Sequence, residues 1–271
     1  MFTPCSNLRE FNSSQIDNHF ISLLDQLALR HSYYNAFEAF LDCAINGLSM
    51  NYSPYTMEAI RKTYSQDERY MFGEMIRCWI YSCNINVPDD NSFHDFLGKM
   101  YERNAMTKQK GFAQYFTPED ICRFMVQILA PYENAEAIAE PACGSGRFNL
   151  AAHACNHRLI HHANDLDYTC AKMTALNFFI HGVKGVVTSD DTLVPGSSFK
   201  GAFTVNFGDY PNIEFIEDRR LAYHYLYLVM PRRKDKDEPA VPVTDAQSED
   251  LPDTDAKIIT PSQIGQQLSL F

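Results

Sequence analysis

The stretch that decides the fold is EPACGSGRF, residues 140–148, which follows a short apolar run and opens a helical pattern. Gly144 and Gly146 let the backbone turn sharply and approach a bound ligand closely, and the amides at the start of the helix attract an anionic group. A Gly-x-Gly pair also occurs in purely structural turns. The dinucleotide pattern G-x-G-x-x-G is not met, because Asn149 occupies its third position. The surrounding sequence must therefore identify the ligand.

Short apolar runs alternate with helical segments from residue 135 to residue 206, which is typical of an α/β fold with a parallel sheet and crossover helices. Four strands are predicted, in AEAIAE, LIHHAND, KGVVTSD and AFTVNF, and LAYHYLYLVM (221–230) is a candidate fifth. Aspartates follow the second and third strands, at positions 165, 167, 190 and 191. They predict, with the glycine loop, one ligand cleft at the carboxyl edge of the sheet. Each aspartate alone could instead cap a helix.

Four segments are expected along the chain. Residues 1–110 form a helical N-terminal subdomain, since residues 17–104 carry apolar residues at helical spacing. Residues 111–231 form the α/β domain, residues 232–262 a disordered acidic tether rich in charge and proline, and residues 263–271 a terminal peptide. A helix is predicted after QYFTP, and its apolar face is expected to pack on a core through Ile121, Phe124, Met125, Ile128 and Leu129.

The order QYFTP, EPACGSGRF, NDLD and SDDTL resembles the N-6 adenine DNA methyltransferases, a family that includes the modification subunits of type I restriction systems. The resemblance covers roughly residues 17–206. It implies a Rossmann-like methyltransferase sheet, expected here to be truncated, with S-adenosylmethionine as cofactor. The methionine end of the cofactor would be wrapped by Tyr115, Phe116, Thr117 and Pro118, and the cofactor loop would be lined by Glu140, Cys143, Gly144 and Gly146. The resemblance also implies that Asp165 binds the ribose, that Asp191 contacts the adenine amine and that Leu193 lies against the ring.

The catalytic tetrapeptide departs from the family's pattern. Family members place Asn or Asp, two prolines and an aromatic residue after the fourth strand, where they hold the target amine and stack on a flipped adenine. This chain has VNFGDYPN, so Asn206 is the candidate amide acceptor and Phe207 and Tyr210 are candidate stacking residues, which could equally be core residues. Loss of the prolines removes preorganisation. Two functions stay open: a DNA adenine-N6 methyltransferase with a degenerate site, or a catalytically inactive scaffold.

The composition limits the partners. The formal net charge of -11 argues against a surface that grips nucleic acid throughout, so DNA contact is expected to be local, with Arg103, Lys108 and Lys110 as one basic patch. Eight cysteines without a C-x-x-C pair suggest reduced thiols. No secretory signal or membrane span is expected, which favours the cytoplasm. His153, His157 and His161 lack a carboxylate or cysteine at ligand spacing, so no metal is predicted.

The last residues resemble the short peptide by which bacterial replication and repair proteins dock on the ring-shaped sliding clamp. Such a peptide places Leu and Phe in an apolar pocket and a Gln in a polar notch, and a flexible tether lets it reach. The matching residues are Gln267, Leu268, Leu270 and Phe271. The expected partners are therefore DNA, a bacterial sliding clamp and a methyltransferase or specificity subunit that could supply target recognition.

Overall fold

The computed structural model describes residues 2–49, 54–103, 115–129, 135–194 and 197–229. The basic-patch residues Lys108 and Lys110, the expected tether and the clamp-binding-like peptide lie outside the described residues. Residues 1–232 cluster as one compact unit.

The first half of the described chain is helical, as the apolar spacing predicts. After a 3-10 turn at Leu8–Glu10 come α1 (Ser13–Ala28), α2 (Tyr33–Leu48), α3 (Pro54–Thr63), α4 (Gln66–Asn86), α5 (Phe96–Arg103) and α6 (Glu119–Leu129). Asn12 with Gln15 and Ser65 with Glu68 form reciprocal capping boxes, which satisfy amide donors at the starts of α1 and α4.

The second half alternates strands and helices. Its elements are β1 (Ala137–Glu140), α7 (Arg147–Cys155), β2 (Ile160–Asp165), α8 (Tyr168–Ile180), β3 (Gly185–Ser189), β4 (Gly201–Val205), β5 (Ile213–Ile216) and α9 (Arg219–Val229). The strands form one sheet in the order β1-β2-β3-β4-β5. The predicted α/β class is therefore confirmed.

The expectation of a parallel sheet is correct for β1, β2 and β3 and wrong for β4, which pairs antiparallel with β3. A parallel neighbour needs a crossover of a dozen or more residues, usually a helix. Only residues 190–200 join β3 to β4, and the described part of this connection contains no helix. The short connection therefore returns the chain in the opposite direction.

The candidate fifth strand in LAYHYLYLVM is also wrong, because this segment lies in α9. Its buried residues Ala222 and Leu226 are four positions apart, which is helical spacing. The fifth strand is instead Ile213–Ile216, antiparallel to β4.

The helical half and one face of the sheet share a single hydrophobic core. Phe20, at the centre of the helices, makes edge-to-face contacts with Phe40 and Phe96. The same core continues to Phe203 of β4. Because successive residues of a strand face opposite sides, Ala202 belongs to a separate small cluster with Ile216 and Ala222, where α9 covers the other face.

The predicted packing of α6 is wrong. Its apolar stripe is exposed, with Ile128 64% and Phe124 57% accessible, and the buried residues are Cys122 and Val126. These two are also four positions apart, so the helix is amphipathic on a different, narrower face from the one expected.

Candidate functional site

A cavity of about 170 Å³ joins the two segments that sequence reasoning singled out. The loop before α6 and the glycine loop after β1 lie about 25 residues apart in the chain, and both contribute walls. The lining residues are Tyr115, Phe116, Thr117, Cys122, Met125, Glu140, Ala142, Cys143, Gly144, Arg147 and Phe148. Thus six of the predicted cofactor residues share one cavity.

The glycine loop has the backbone conformation that requires glycine. Gly144 has φ +58° and Gly146, which precedes α7, has φ +85°. A Cβ on Gly144 would lie 2.6 Å from Cδ1 of Phe116, and one on Gly146 would lie 2.9 Å from Cγ2 of Thr174. Any other residue at either position would have a strained backbone, and its Cβ would collide with the side chain of Phe116 or Thr174.

Asp165 fastens the end of β2 to this loop. Its Oδ2 accepts the Gly144 amide at 2.8 Å, and its Oδ1 accepts the Asp167 amide at 2.9 Å. Asp167 instead caps α8, because its side chain accepts the Thr169 amide. This is the helix-cap role that the sequence left open for each aspartate.

Two ionisable groups of the cavity are shifted towards their neutral forms. Burial raises the pKa of Glu140, an effect that the Ala142 amide opposes and the nearby Asp165 carboxylate reinforces. Burial also raises the pKa of the Cys143 thiol, and Asp165 adds to it. Cys143 is therefore a packing residue and not a thiolate nucleophile.

Sequence reasoning missed the buried charge network beneath the loop. Asp95, which precedes α5, accepts Ser145 Oγ at 2.5 Å, Arg147 Nε at 2.8 Å and Asn177 Nδ2 at 2.8 Å. It also accepts the Gly98 amide at 2.8 Å. This carboxylate is 1% exposed, so it links the helical half, the glycine loop and α8 in the interior.

Arg147 extends the network to the cavity wall. Its Nη2 donates to Glu102 at 3.0 Å, its Nη1 donates to the Thr117 carbonyl at 3.1 Å, and its guanidinium lies 5.7 Å from the Phe116 ring centre. Burial alone would lower the pKa of Arg147, but Asp95 and Glu102 raise it, so the charge is retained. The only sequence indication was a charged residue in the first turn of a helix that is otherwise apolar.

The remaining predicted cofactor residues, Pro118, Gly146, Asp165, Asp191 and Leu193, do not line the cavity. The Pro118 carbonyl accepts the Cys122 amide at 3.0 Å, in the first turn of α6. Asp191 follows β3 and accepts the Leu193 amide at 2.9 Å in a local turn, and Leu193 is 92% exposed. Its neighbour Asp190 is buried and structural.

The structure does not bring Asn206 to the glycine loop. Because β4 is antiparallel, its last residue, Val205, pairs with Gly185, the first residue of β3. Asn206 thus lies at the amino end of β3, whereas Glu140 and Asp165 end β1 and β2 at the carboxyl edge. The amine site expected beside the cofactor loop does not form in this arrangement.

The local contacts of Asn206 are those of a loop residue. Its Nδ2 donates to the carbonyls of Phe178 and Val183, both at 3.0 Å, and its φ is 59°. Phe207 lies under the Lys184 ammonium, 5.0 Å from the ring centre, and Tyr210 is 82% exposed. Neither Phe207 nor Tyr210 belongs to the buried core, so the alternative prediction that they are core residues is also wrong.

The three histidines do not share one helix face. His153 and His157 lie at the end of α7, with His157 Nδ1 3.1 Å from His153 Nε2, whereas His161 lies in β2. His161 packs against Phe178, with 5.6 Å between ring centres. Burial lowers the pKa of His161 to about 3, so it is a neutral core residue.

Comparison with known proteins points to one family. Residues 92–205 match the family model described as N-6 DNA Methylase. The chain is 33% identical over 100 residues to the type I restriction enzyme HindI methylase subunit of Haemophilus influenzae, covering 33% of this chain and 22% of that protein. It is 25% identical over 165 residues to the MjaIX methylase subunit of Methanocaldococcus jannaschii, covering 56% and 29%. The chain thus spans less than a third of either relative.

Two solved structures are similar at a lower level. One is a candidate class I S-adenosylmethionine-dependent methyltransferase of Listeria monocytogenes, with a TM-score of 0.35 and 13% identity, over 66% of this chain and 55% of that one. The other is a type I restriction-modification methyltransferase subunit of Streptococcus thermophilus, with a TM-score of 0.34 and 16% identity, over 72% and 42%.

Among the described residues, no helix is long and apolar enough to cross a bilayer.

The matched region, residues 92–205, begins before the YFTP segment and contains the glycine loop and the acidic strand ends. Over this region the chain is similar to the N-6 DNA methylase family.

Proposed function

We propose that this chain binds S-adenosylmethionine at the carboxyl edge of β1 and β2 and serves the methylation of adenine N6 in DNA. The observation that carries the proposal is the single cavity formed by the YFTP segment and the glycine loop. The two segments match motifs of one family, and a pocket lined by both is the default position for a ligand.

The residues present suit the cofactor. Gly144 lets the loop pack directly against Phe116, and Gly146 lets it pack against Thr174, which fixes the shape of the loop at the cavity. The Glu140 carboxylate suits the ammonium of the methionine end, and the Phe116 ring forms an apolar wall. Asp165 places a carboxylate at the end of the next strand, where a ribose hydroxyl is expected to donate.

When bound, S-adenosylmethionine supplies an electrophilic methyl group on a sulfonium. The chain's own contribution is to hold and orient it. The Asp165 carboxylate fixes the loop through the Gly144 amide, and the Asp95–Arg147 pair fixes the base of the loop from below. Such fixed groups cost little reorganisation when a ligand binds.

Transfer to DNA requires a group that accepts hydrogen bonds from the target amine close to the methyl group. The placement of Asn206 at the opposite edge of the sheet favours a second candidate function, in which the chain is a catalytically inactive scaffold or cofactor-binding partner of an active methyltransferase or specificity subunit. Both candidates share the cofactor cavity and differ in whether this chain alone modifies DNA.

A transfer assay separates the two candidates. The purified chain is incubated with methyl-labelled S-adenosylmethionine and unmethylated bacterial DNA, and label in adenine N6 is measured. Transfer that is lost in Asn206→Ala supports the enzyme and a rearranged loop. Cofactor binding without transfer supports the scaffold, and absence of cofactor binding refutes both.

We also propose that the terminal residues Gln267, Leu268, Leu270 and Phe271 dock on a bacterial sliding clamp. The support is the sequence QLSLF alone, and these residues lie outside the described part of the chain. Removing residues 267–271 is expected to abolish retention on immobilised clamp, while Ser269→Ala, which leaves the proposed anchors, retains it. Unchanged retention of the truncated chain would refute the proposal.

A further inference from the structure

A cluster of three metal-ligating side chains lies in the helical half, on elements that contribute nothing to the cavity described above. Cys5 precedes the 3-10 turn, His19 is on α1 and Glu74 is on α4. One ligand atom from each, the Cys5 thiol sulfur, a His19 ring nitrogen and a Glu74 carboxylate oxygen, all lie within 4.8 Å of one another. It is the one such group of three among the described residues.

The distance between the ligand atoms of His19 and Glu74 is the distance expected between two ligands of one metal ion. His19 Nε2 and Glu74 Oε1 are 3.3 Å apart. Metal–nitrogen and metal–oxygen bonds of about 2.0–2.1 Å at a tetrahedral zinc ion place two such ligands roughly 3.3 Å apart. The sulfur needs to move by about 1 Å at most to complete a three-ligand face, since zinc–sulfur bonds are roughly 2.3 Å.

The two carboxylate oxygens of Glu74 face different partners. The Glu74 side chain is 1% exposed and Oε2 pairs with Arg77 Nη1 at 2.6 Å. Oε1 faces both the Cys5 amide, at 3.1 Å, and the Nε2 atom of His19. Nε2 of His19 therefore either carries a hydrogen that it donates to Oε1 or binds, through its lone pair, a metal ion that Oε1 also binds.

We propose that Cys5, His19 and Glu74 form a zinc-binding site with a fourth position open to solvent. A thiolate, a neutral imidazole and a carboxylate are all preferred zinc ligands, and they carry two negative charges, one of which is shared with Arg77. His19 is 25% exposed, so water can reach the fourth position. Phe11 meets the His19 ring edge-on, at 6.0 Å between centres, and so restricts its orientation.

The consequence would be structural. The chain ahead of α1 is held to α4 by the Cys5 amide on Glu74 and by Arg77 on the Cys5 carbonyl, at 3.3 Å. A metal ion would add a side-chain link from this segment to both α1 and α4. Because metal ligation competes with protonation of the thiol and the imidazole, binding is expected to tighten as pH rises.

The test uses the full-length, untagged, reduced chain and two probes, Zn²⁺ in calorimetry and Co²⁺ in absorption spectroscopy. We expect one tight Zn²⁺ site per chain, and for Co²⁺ a thiolate charge-transfer band with the visible bands of tetrahedral coordination. Cys5→Ser and His19→Gln are both expected to weaken Zn²⁺ binding at least about tenfold, because each removes a ligand. The Co²⁺ charge-transfer band disappears in Cys5→Ser.

Two matched controls keep the result specific. Cys155→Ser removes an exposed thiol outside the cluster. His157→Gln removes one member of the His153–His157 pair, which is also outside the cluster. Both are expected to bind Zn²⁺ as the unchanged chain does. The proposal is overturned if the unchanged chain shows no saturable Zn²⁺ binding, or if Cys5→Ser and His19→Gln bind as tightly as the controls. Circular dichroism of each variant verifies that the helices remain folded.

Discussion

Asp95→Asn is the substitution that most sharply tests the buried network beneath the glycine loop. The Oδ1 atom of Asp95 accepts Gly98 N and Asn177 Nδ2, and Oδ2 accepts Ser145 Oγ and Arg147 Nε. An asparagine replaces one of these oxygens with an amide donor. Whichever way the amide turns, two of the four donors lose their acceptor and the negative charge beside the guanidinium is lost.

The expected cost follows from burial. Removing one partner of a buried ion pair costs roughly 3–5 kcal/mol, and the low end applies here because Glu102 still pairs with Arg147. A loss of about 3 kcal/mol is a large part of a total stability of roughly 5–15 kcal/mol. The free energy of unfolding is measured by urea denaturation at neutral pH.

The control is an exposed ion pair. Glu58 pairs with Lys62 at 2.7 Å one turn apart on α3, with side chains 59% and 74% exposed. Glu58→Gln is expected to change the free energy of unfolding by less than about 0.5 kcal/mol. A loss below about 1 kcal/mol in Asp95→Asn would refute the view that this carboxylate holds the helical half and the loop together.

Three further substitutions test other parts of the account. Gly144→Ala and Gly182→Ala both place alanine at positive φ, +58° and +70°, but only the first meets an atom, Cδ1 of Phe116 at 2.6 Å. Gly182→Ala is therefore expected to cost about 1 kcal/mol of stability and Gly144→Ala more, and only Gly144→Ala to weaken S-adenosylmethionine binding at least about tenfold; equal affinities would contradict this. Burial holds the pKa of His161 at about 3, below the value of about 6.5 in the unfolded chain, so its contribution to stability is present above pH 6.5 and is lost as pH falls. His161→Leu is thus expected to reduce the loss of unfolding free energy between pH 7 and pH 5 by about 2 kcal/mol, and an unchanged loss would argue against a neutral buried imidazole. Asn206→Asp is expected to destabilise the fold by about 2 kcal/mol, because a carboxylate would face two main-chain carbonyls; a neutral effect would indicate that Asn206 points elsewhere.

Local patterns predicted the elements that depend on local rules. The helical spacing ahead of the sheet, the glycine loop and the alternation through β3 all appear as expected, since positive φ and amphipathic periodicity are properties of short segments. The ligand cleft expected from the aspartates at the strand ends stays a prediction, because the cavity at the glycine loop is lined by the YFTP segment and by no residue of β2 or β3.

The direction of β4 and the identity of α9 were misjudged for physical reasons that the sequence did contain. The connection from Asp190 to Lys200 is too short for a crossover, and Ala222 and Leu226 have helical spacing. The direction of β4 then decided the site, because it carries Asn206 to the far edge of the sheet.

The buried network could not be predicted from the sequence. Asp95 and Arg147 are 52 residues apart, and nothing in the local pattern of either residue indicates the other. The exposed stripe of α6 is a similar case, because periodicity shows that a helix is amphipathic but not which of two overlapping faces is buried.

Calorimetric titration of the full-length chain with S-adenosylmethionine, alongside Asp165→Asn, measures the main claim most directly. We expect one cofactor per chain, with binding about 10- to 100-fold weaker in the variant, because the charged acceptor at the sugar is lost and the one remaining oxygen cannot hold both the Gly144 and the Asp167 amides as the carboxylate does. Absence of saturable binding by the unchanged chain, or equal affinity of the two proteins, would contradict a cofactor site at the glycine loop.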